Sequence, residues 1–231
     1  MNLFEDIEKE HLLLEKATGS LVAMTDEMTR NESDELKKNI ESLCYFFINF
    51  MVNYHTQKEE NVIFAALEKL NLPRDKGPLF YYALEHADHL KHLDEMLLRL
   101  GKPALTGEDK NFLYEKSKKF CIEVWEHIDK ENSVFLVEVG ERVRGGALLE
   151  MNAAYESFLA GFNFPGLSAE ENIALAESMI ARYKPVLTLP EHIRGDGCMS
   201  CRFFGEGCNG IEHEWWTEHE WEDFFERNNR D

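Results

Sequence analysis

The sequence predicts an all-α protein: an up-down-up-down four-helix bundle with a C-terminal helical extension. Three observations carry this. Apolar residues recur at helical spacing over four long segments. Only six prolines occur, and glycine falls mostly between the periodic segments, where chain breakers belong. The connections between segments are short, which favours antiparallel neighbours.

The first segment runs from Leu3 to Thr29, with Leu12, Leu13, Leu21, Val22 and Met28 at helical spacing. Ser33, followed by Asp-Glu-Leu, is an N-cap signal for a second helix. That helix carries Leu36, Ile40, Leu43, Phe47, Phe50 and Met51 and continues through His55 to Leu70, until Pro73 and Gly77-Pro78 break it. A third helix spans Leu79 to Leu100 and stops at Gly101-Lys-Pro103. Thr106-Gly-Glu-Asp109 opens a fourth, which runs to Val139. After Gly140 the character changes. Ala147 to Phe162 and Ser168 to Tyr183 read as shorter helices, Pro190 to Gly210 as a Gly- and Cys-containing loop, and Ile211 to Asp231 as an acidic, Trp-rich end. The expected organisation is a bundle at residues 1–145 and an extension at 146–231 packed on it.

Composition narrows the function classes. The chain has 44 acidic and 25 basic residues, a formal net charge of −19. So negative a surface repels phosphate, which argues against nucleic acid and anionic lipid as partners. No apolar run reaches the length of a membrane span. The first residues, MNLFEDIEKEH, carry acids where a secretory leader needs basic residues and an apolar stretch. With five cysteines, an odd number, this leads to the expectation of reduced thiols in the cytoplasm.

The histidines are patterned. His55-Thr-Gln-Lys-Glu59 in the second helix and His127-Ile-Asp-Lys-Glu131 in the fourth both read His-x-x-Lys-Glu, with a Val three residues later. The first and third helices share a different pair, Glu10-His11 and Glu85-His86. Residues four apart lie on one helical face, about 6 Å apart along the axis. His55 with Glu59, and His127 with Glu131, can therefore each address one small volume. Ionisable groups on a core-facing stripe are costly unless compensated. Four imidazoles and two carboxylates converging in a bundle core are compensated by metal. This mixed nitrogen and oxygen set suits Fe or Mn better than Zn, and a carboxylate reaches two metals at once. The ferritin-like arrangement needs Glu-x-x-His on two helices; Glu8-Lys-Glu-His11 supplies one copy and the second is missing.

His11, His55-x-x-x-Glu59, His86 and His127-x-x-x-Glu131, one group per helix in this order, resemble the haemerythrin-like (HHE cation-binding) family over roughly residues 1 to 145. The resemblance implies a four-helix bundle holding a non-haem di-iron centre, with Glu59 and Glu131 bridging the irons. It also implies binding or sensing of dioxygen, handling of nitric oxide or peroxide, or repair of iron centres. Two departures separate the chain from the oxygen-carrying members. They use His-x-x-x-His in the third helix, where this chain has His86-Ala-Asp-His89-Leu-Lys-His92. Their last pair is a His and a more distant Asp, where this chain has Glu131 four residues after His127. Both departures point to the wider group, with roles in sensing and stress.

The expected metal ligands are thus His11, His55, Glu59, His86, His127 and Glu131, with His89 as a candidate fifth imidazole. His92 is expected at the bundle edge and Glu15 on the surface. Phe46, Phe50, Ile63 and Trp125 are expected to shape a dry pocket for a diatomic ligand or peroxide. Cys44 and Cys121 sit on apolar stripes and read as small buried hydrophobes. Cys198-Met-Ser-Cys201 and Cys208 form a candidate second metal or dithiol loop, with His192 or His213 as a fourth donor. Trp215, Trp221, Phe224 and Phe225 form an apolar stripe, a candidate docking face onto the bundle, a protein partner or a second copy. Two alternatives stand beside a binding or sensing protein: a di-iron enzyme or iron-donating repair protein, and a metal-free helical interaction protein.

Overall fold

The computed structural model describes residues 2–190 together with Thr217, His219 and Glu222. The Cys198/Cys201/Cys208 loop with His192 and His213, and the Trp215, Trp221, Phe224 and Phe225 stripe, lie outside the described residues. No strand occurs among the described residues, and residues 2–190 form a bundle of six helices.

Helix α1 is Leu3–Arg30, entered through Asn2, whose side chain accepts from the Phe4 N–H. Helix α2 is continuous over 34–68 but not uniform: α-helical at Asp34–Phe46, π-helical at Phe47–Thr56 and Glu59–Phe64, and α-helical again at Ala65–Glu68. Ser33 caps it by accepting from the Leu36 N–H at 3.1 Å. Helix α3 is Gly77–Leu100, with Pro78 in its first turn, where a missing N–H costs nothing. Helix α4 covers 107–142 and contains one π-helical stretch, Glu131–Phe135. Thr106 and Asp109 form a capping box at its start, and Arg99 and Lys102 pair with the same Asp109 carboxylate. Helices α5 (Gly146–Gly161) and α6 (Ala169–Arg182) follow, the latter with a capping box of Ser168 and Glu171.

The apolar interior is divided into two clusters. One contains Leu14, Leu21 and Met24 of α1, Leu43 and Phe47 of α2, Leu93 and Met96 of α3, and Phe120 and Val124 of α4. The other contains Leu3 and Ile7 of α1, Val62 and Ile63 of α2, Leu79 and Tyr82 of α3, and Phe135 and Val139 of α4. Between the two clusters, on every one of these four helices, fall buried histidines or glutamates: His11, then His55 and Glu59, then His86, then His127 and Glu131. Helix α6 adds Ala176 and Met179 to the first cluster, and α5 adds Met151 and Tyr155 to the second. The extension therefore closes both apolar ends of the bundle and leaves the polar layer between them.

The chain after α6 crosses back over α1 at Gly19. The Val186 N–H donates to the Gly19 carbonyl at 3.1 Å. A Cβ on Gly19 would stand 2.2 Å from the Val186 carbonyl oxygen, closer than any side chain tolerates. Gly140, also helical, has nothing within 4 Å of its added Cβ. Gly19→Ala is expected to dislodge the 185–189 segment and lower stability by about 1–3 kcal/mol, the usual cost of overpacking. Gly140→Ala is expected to raise stability by about 0.5–1 kcal/mol through helix propensity alone. Urea unfolding midpoints check both, and a Gly19→Ala midpoint equal to the parent's would contradict the close approach.

Candidate metal centre

Six buried side chains from four helices meet in one volume. They form two overlapping groups of donors, His11/His55/Glu59/Glu131 and Glu59/His86/His127/Glu131, and within each group the donor atoms lie within 4.8 Å of one another. Glu59 and Glu131 belong to both. Each divides its oxygens between them. Glu59 turns Oε1 toward His11 Nε2 (3.7 Å) and His55 Nε2 (3.4 Å), and Oε2 toward His86 Nε2 (3.5 Å). Glu131 turns Oε2 toward His11 Nε2 (3.2 Å), and Oε1 toward His127 Nε2 (3.1 Å) and His86 Nε2 (3.9 Å). The His86 and His127 Nε2 atoms are 3.1 Å apart.

These contacts are close but lie off the hydrogen-bonding direction. Both oxygens of Glu59, both oxygens of Glu131 and Nε2 of His11 are buried without a hydrogen-bond partner. Buried polar atoms normally find partners. Orphaned carboxylate oxygens and imidazole lone pairs converging on shared points are the donor set of a metal site, and the residues fit a pair of cations sharing two carboxylates.

Each imidazole is fixed from behind through Nδ1. His55 Nδ1 meets Glu10 Oε2 at 2.8 Å, His127 Nδ1 meets Glu85 Oε2 at 2.7 Å, His86 Nδ1 meets Glu60 Oε1 at 3.0 Å, and His11 Nδ1 meets Asn132 Oδ1 at 2.8 Å. Such outer partners orient the ring and leave Nε2 for the metal. The outer carboxylates have cations of their own: Lys58 on Glu10 at 2.5 Å, Lys130 on Glu85, and Arg74 on Glu60 at 2.7 Å. The repeated sequence pairs now acquire their meaning. The Glu before the His on α1 or α3 orients the His of α2 or α4, and the Lys of His-x-x-Lys-Glu neutralises that same Glu. The residue after each shared Glu, Glu60 or Asn132, orients the imidazole of α3 or α1. The repeats are visible in the sequence, but the roles of Glu10, Glu85, Lys58 and Lys130 are not; Lys58-Glu59-Glu60 taken alone reads as a solvated face, yet Lys58 and Glu59 are fully buried.

The π-helical stretches coincide with the donors. One contains His55, one starts at Glu59 and one starts at Glu131. A π turn is wider than an α turn, intrinsically unfavourable, and concentrated at functional sites. None of the three stretches contains the Pro or Gly that would mark an irregular helix in the sequence.

The remaining expected residues fall as follows. His89 is buried beside the centre but outside both donor groups, its ring edge-on to His127 (centroids 5.1 Å apart) and Phe120 (6.0 Å). His92, expected at the bundle edge, is buried because Glu123 of α4 receives its Nε2 at 2.6 Å. The Glu15 carbonyl accepts from the Trp125 indole. Cys44 and Cys121 are buried as expected, and burial pushes both thiols up to about 12. The rings lying against the imidazoles are Phe64 on His86, Tyr82 on His127 and Phe120 on His89, whereas Phe46 and Phe50 stack on each other.

Charge in the metal-free centre is carried by protons. Burial alone would lower His11 and His86. For His11, contacts with Glu131 and Glu59 outweigh it and raise the imidazole to about 10. For His86, Glu131, Glu60 and Glu59 do the same, again to about 10. Burial raises the Glu85 carboxyl, but His127 and Lys130 outweigh it and bring it down to about 2. Burial, reinforced by the nearby His127 and His86, holds His89 well below the usual histidine range. Since His11 and His86 titrate higher folded than unfolded, they stabilise the metal-free fold fully below about pH 6.5, and this is lost as pH rises through about 10.

Two outcomes follow. Cation binding at pH 7 releases protons from His11 and His86, so apparent affinity climbs as pH rises toward 10. An indicator dye in weak buffer reads the release, and metal uptake without it would contradict the donor assignment. Lys130→Met strands the Glu85 charge and costs about 3–5 kcal/mol, while Lys130→Met combined with Glu85→Gln costs less because no charge is stranded. Denaturant unfolding reads both, and equal losses would contradict the pairing.

All six donors and their outer partners lie within the part of the chain matched by the family model described as the Hemerythrin HHE cation binding domain, residues 2–139. No curated protein and no solved structure shows significant similarity to the chain. The family match and the two buried His/Glu groups together identify a metal-binding helical protein, and the chain belongs to the hemerythrin HHE cation-binding family.

Proposed function

We propose that this protein holds a non-haem di-iron centre and uses it to bind or sense dioxygen, nitric oxide or peroxide. One observation carries the reading: Glu59 and Glu131 each offer one oxygen to the His11/His55 pair and the other to the His86/His127 pair. On this reading His11 and His55 would hold one iron, His86 and His127 would hold the other, and Glu59 and Glu131 would be shared by both. The order of the two apolar clusters reverses from each helix to the next through α1 to α4, which supports the up-down-up-down arrangement that brings one donor group in from each helix.

Iron, when bound here, would supply a redox-active Lewis acid open to a diatomic or peroxidic ligand. The chain's own residues set the conditions. Two imidazoles and two carboxylate oxygens give four protein donors at each position, which leaves room at an octahedral ion for an external ligand. His89 is buried beside His127 but lies outside both donor groups. Phe64, Tyr82 and Phe120 pack against the imidazoles and keep bulk water from them. Lys58, Lys130 and Arg74 balance the outer carboxylates, so the charge at the centre is that of Glu59 and Glu131.

The test is metal analysis of anaerobically prepared protein, followed by optical spectra on adding oxygen, nitric oxide or peroxide. Two irons per chain and new charge-transfer bands are expected. His55→Ala with His127→Ala is expected to abolish both; a variant that keeps two irons would contradict the proposal.

A further inference from the structure

His92 has the construction of a ligating imidazole, yet it lies outside the centre. Its Nε2 is held by Glu123 Oε2 at 2.6 Å, and its Nδ1 is buried with no hydrogen-bond partner. His55, His86 and His127 are built alike with the nitrogens exchanged: a carboxylate holds Nδ1, and Nε2 faces the shared carboxylates of the centre. His89 stands between His92 and the centre. Its ring meets His127 on one side and Phe120 on the other, and Phe120 also faces His92 (centroids 6.5 Å apart). Spaced three positions apart, His86, His89 and His92 climb about 9 Å along α3.

The internal repeat shows that the fold does not require these polar groups. The Glu-His pair of α3 corresponds to that of α1, which sets His89 against Leu14 and His92 against Ala17. Leu14 and Ala17 are 1% and 0% exposed, and His89 and His92 are 3% and 6% exposed. One half of the bundle fills these buried positions with hydrocarbon, at no cost in unpaired polar atoms. The other half buries two imidazoles.

We propose that His92 and His89 form a relay by which a divalent cation enters along the α3–α4 seam and passes to the His86/His127 end of the centre. The proposal rests on the metal-centre reading above. Glu123, partly exposed on α4, stands at the outer end, on a chain whose net charge of −19 gathers cations. Neither His89 nor His92 belongs to a group of three or more donors among the described residues. A cation held by two imidazoles is therefore held weakly and moves on to the four-donor positions.

The experiment mixes the metal-free full chain with Co²⁺ in a stopped-flow spectrometer and follows the visible cobalt bands, with final stoichiometry and thermal melting measured alongside. His92→Gln keeps a hydrogen bond to Glu123 but lacks the ring lone pair. It is expected to reach the parent's two cobalt ions per chain and the parent's melting temperature while loading at least about tenfold more slowly, the scale on which lost metal-site groups act. His89→Gln is expected to slow loading in the same way. An unchanged loading rate in His92→Gln would overturn the relay and leave the centre standing. A lower final stoichiometry would also overturn it, by making His92 a resident ligand. Failure of the parent chain to take up two ions would overturn the centre, and the relay with it.

Discussion

Glu59 and Glu131 are buried carboxylates, and none of their four oxygens has a hydrogen-bond partner. Bringing such charges out of water costs several kcal/mol each, even after the protein relaxes. The fold accepts this at the level where its apolar core divides, so positive charge has to stand between the two carboxylates. Protonated His11 and His86 supply it in the metal-free chain, and cations supply it in the loaded one. Much of the surrounding structure follows from that requirement. Four helices converge to bring imidazoles around two carboxylates, and the helical turns that deliver His55, Glu59 and Glu131 are π-helical.

The layer behind the imidazoles keeps this problem local. Glu10, Glu85 and Glu60 orient three of the rings, and each is matched by a Lys or an Arg, so the outer shell adds direction without adding net charge. The arrangement is repeated across the two halves of the bundle, with His11, Glu10 and His55 answering His86, Glu85 and His127. The repeat is broken where Asn132 replaces the carboxylate of Glu60, and there no cation is needed, because a neutral amide orients His11. It is broken again where α3 carries His89 and His92 opposite the Leu14 and Ala17 of α1.

Most of this was legible in the sequence where the signal is local. Ser33, Thr106 and Ser168 announce their helices because a cap is a contact between residues three apart. His55 with Glu59 and His127 with Glu131 are legible because four residues make about one turn. What was not legible depends on contacts between helices. Glu10 and Lys58 meet across 48 residues, and His92 and Glu123 across 31, so the sequence shows the first pair only as parts of repeated motifs and places His92 at the bundle edge. The π-helical stretches have no residue-type marker; they arise because the donors must reach a shared volume, which is a property of the assembled bundle.

The central claim is that two carboxylates bridge two metal positions. Anomalous X-ray scattering from crystals of the iron-loaded protein tests it most directly. The account predicts two peaks about 3.5–4 Å apart, with Glu59 and Glu131 each placing one oxygen on one metal and the other oxygen on the second, His11 and His55 on one metal, and His86 and His127 on the other. A single peak, or two peaks that do not share Glu59 and Glu131, would contradict it.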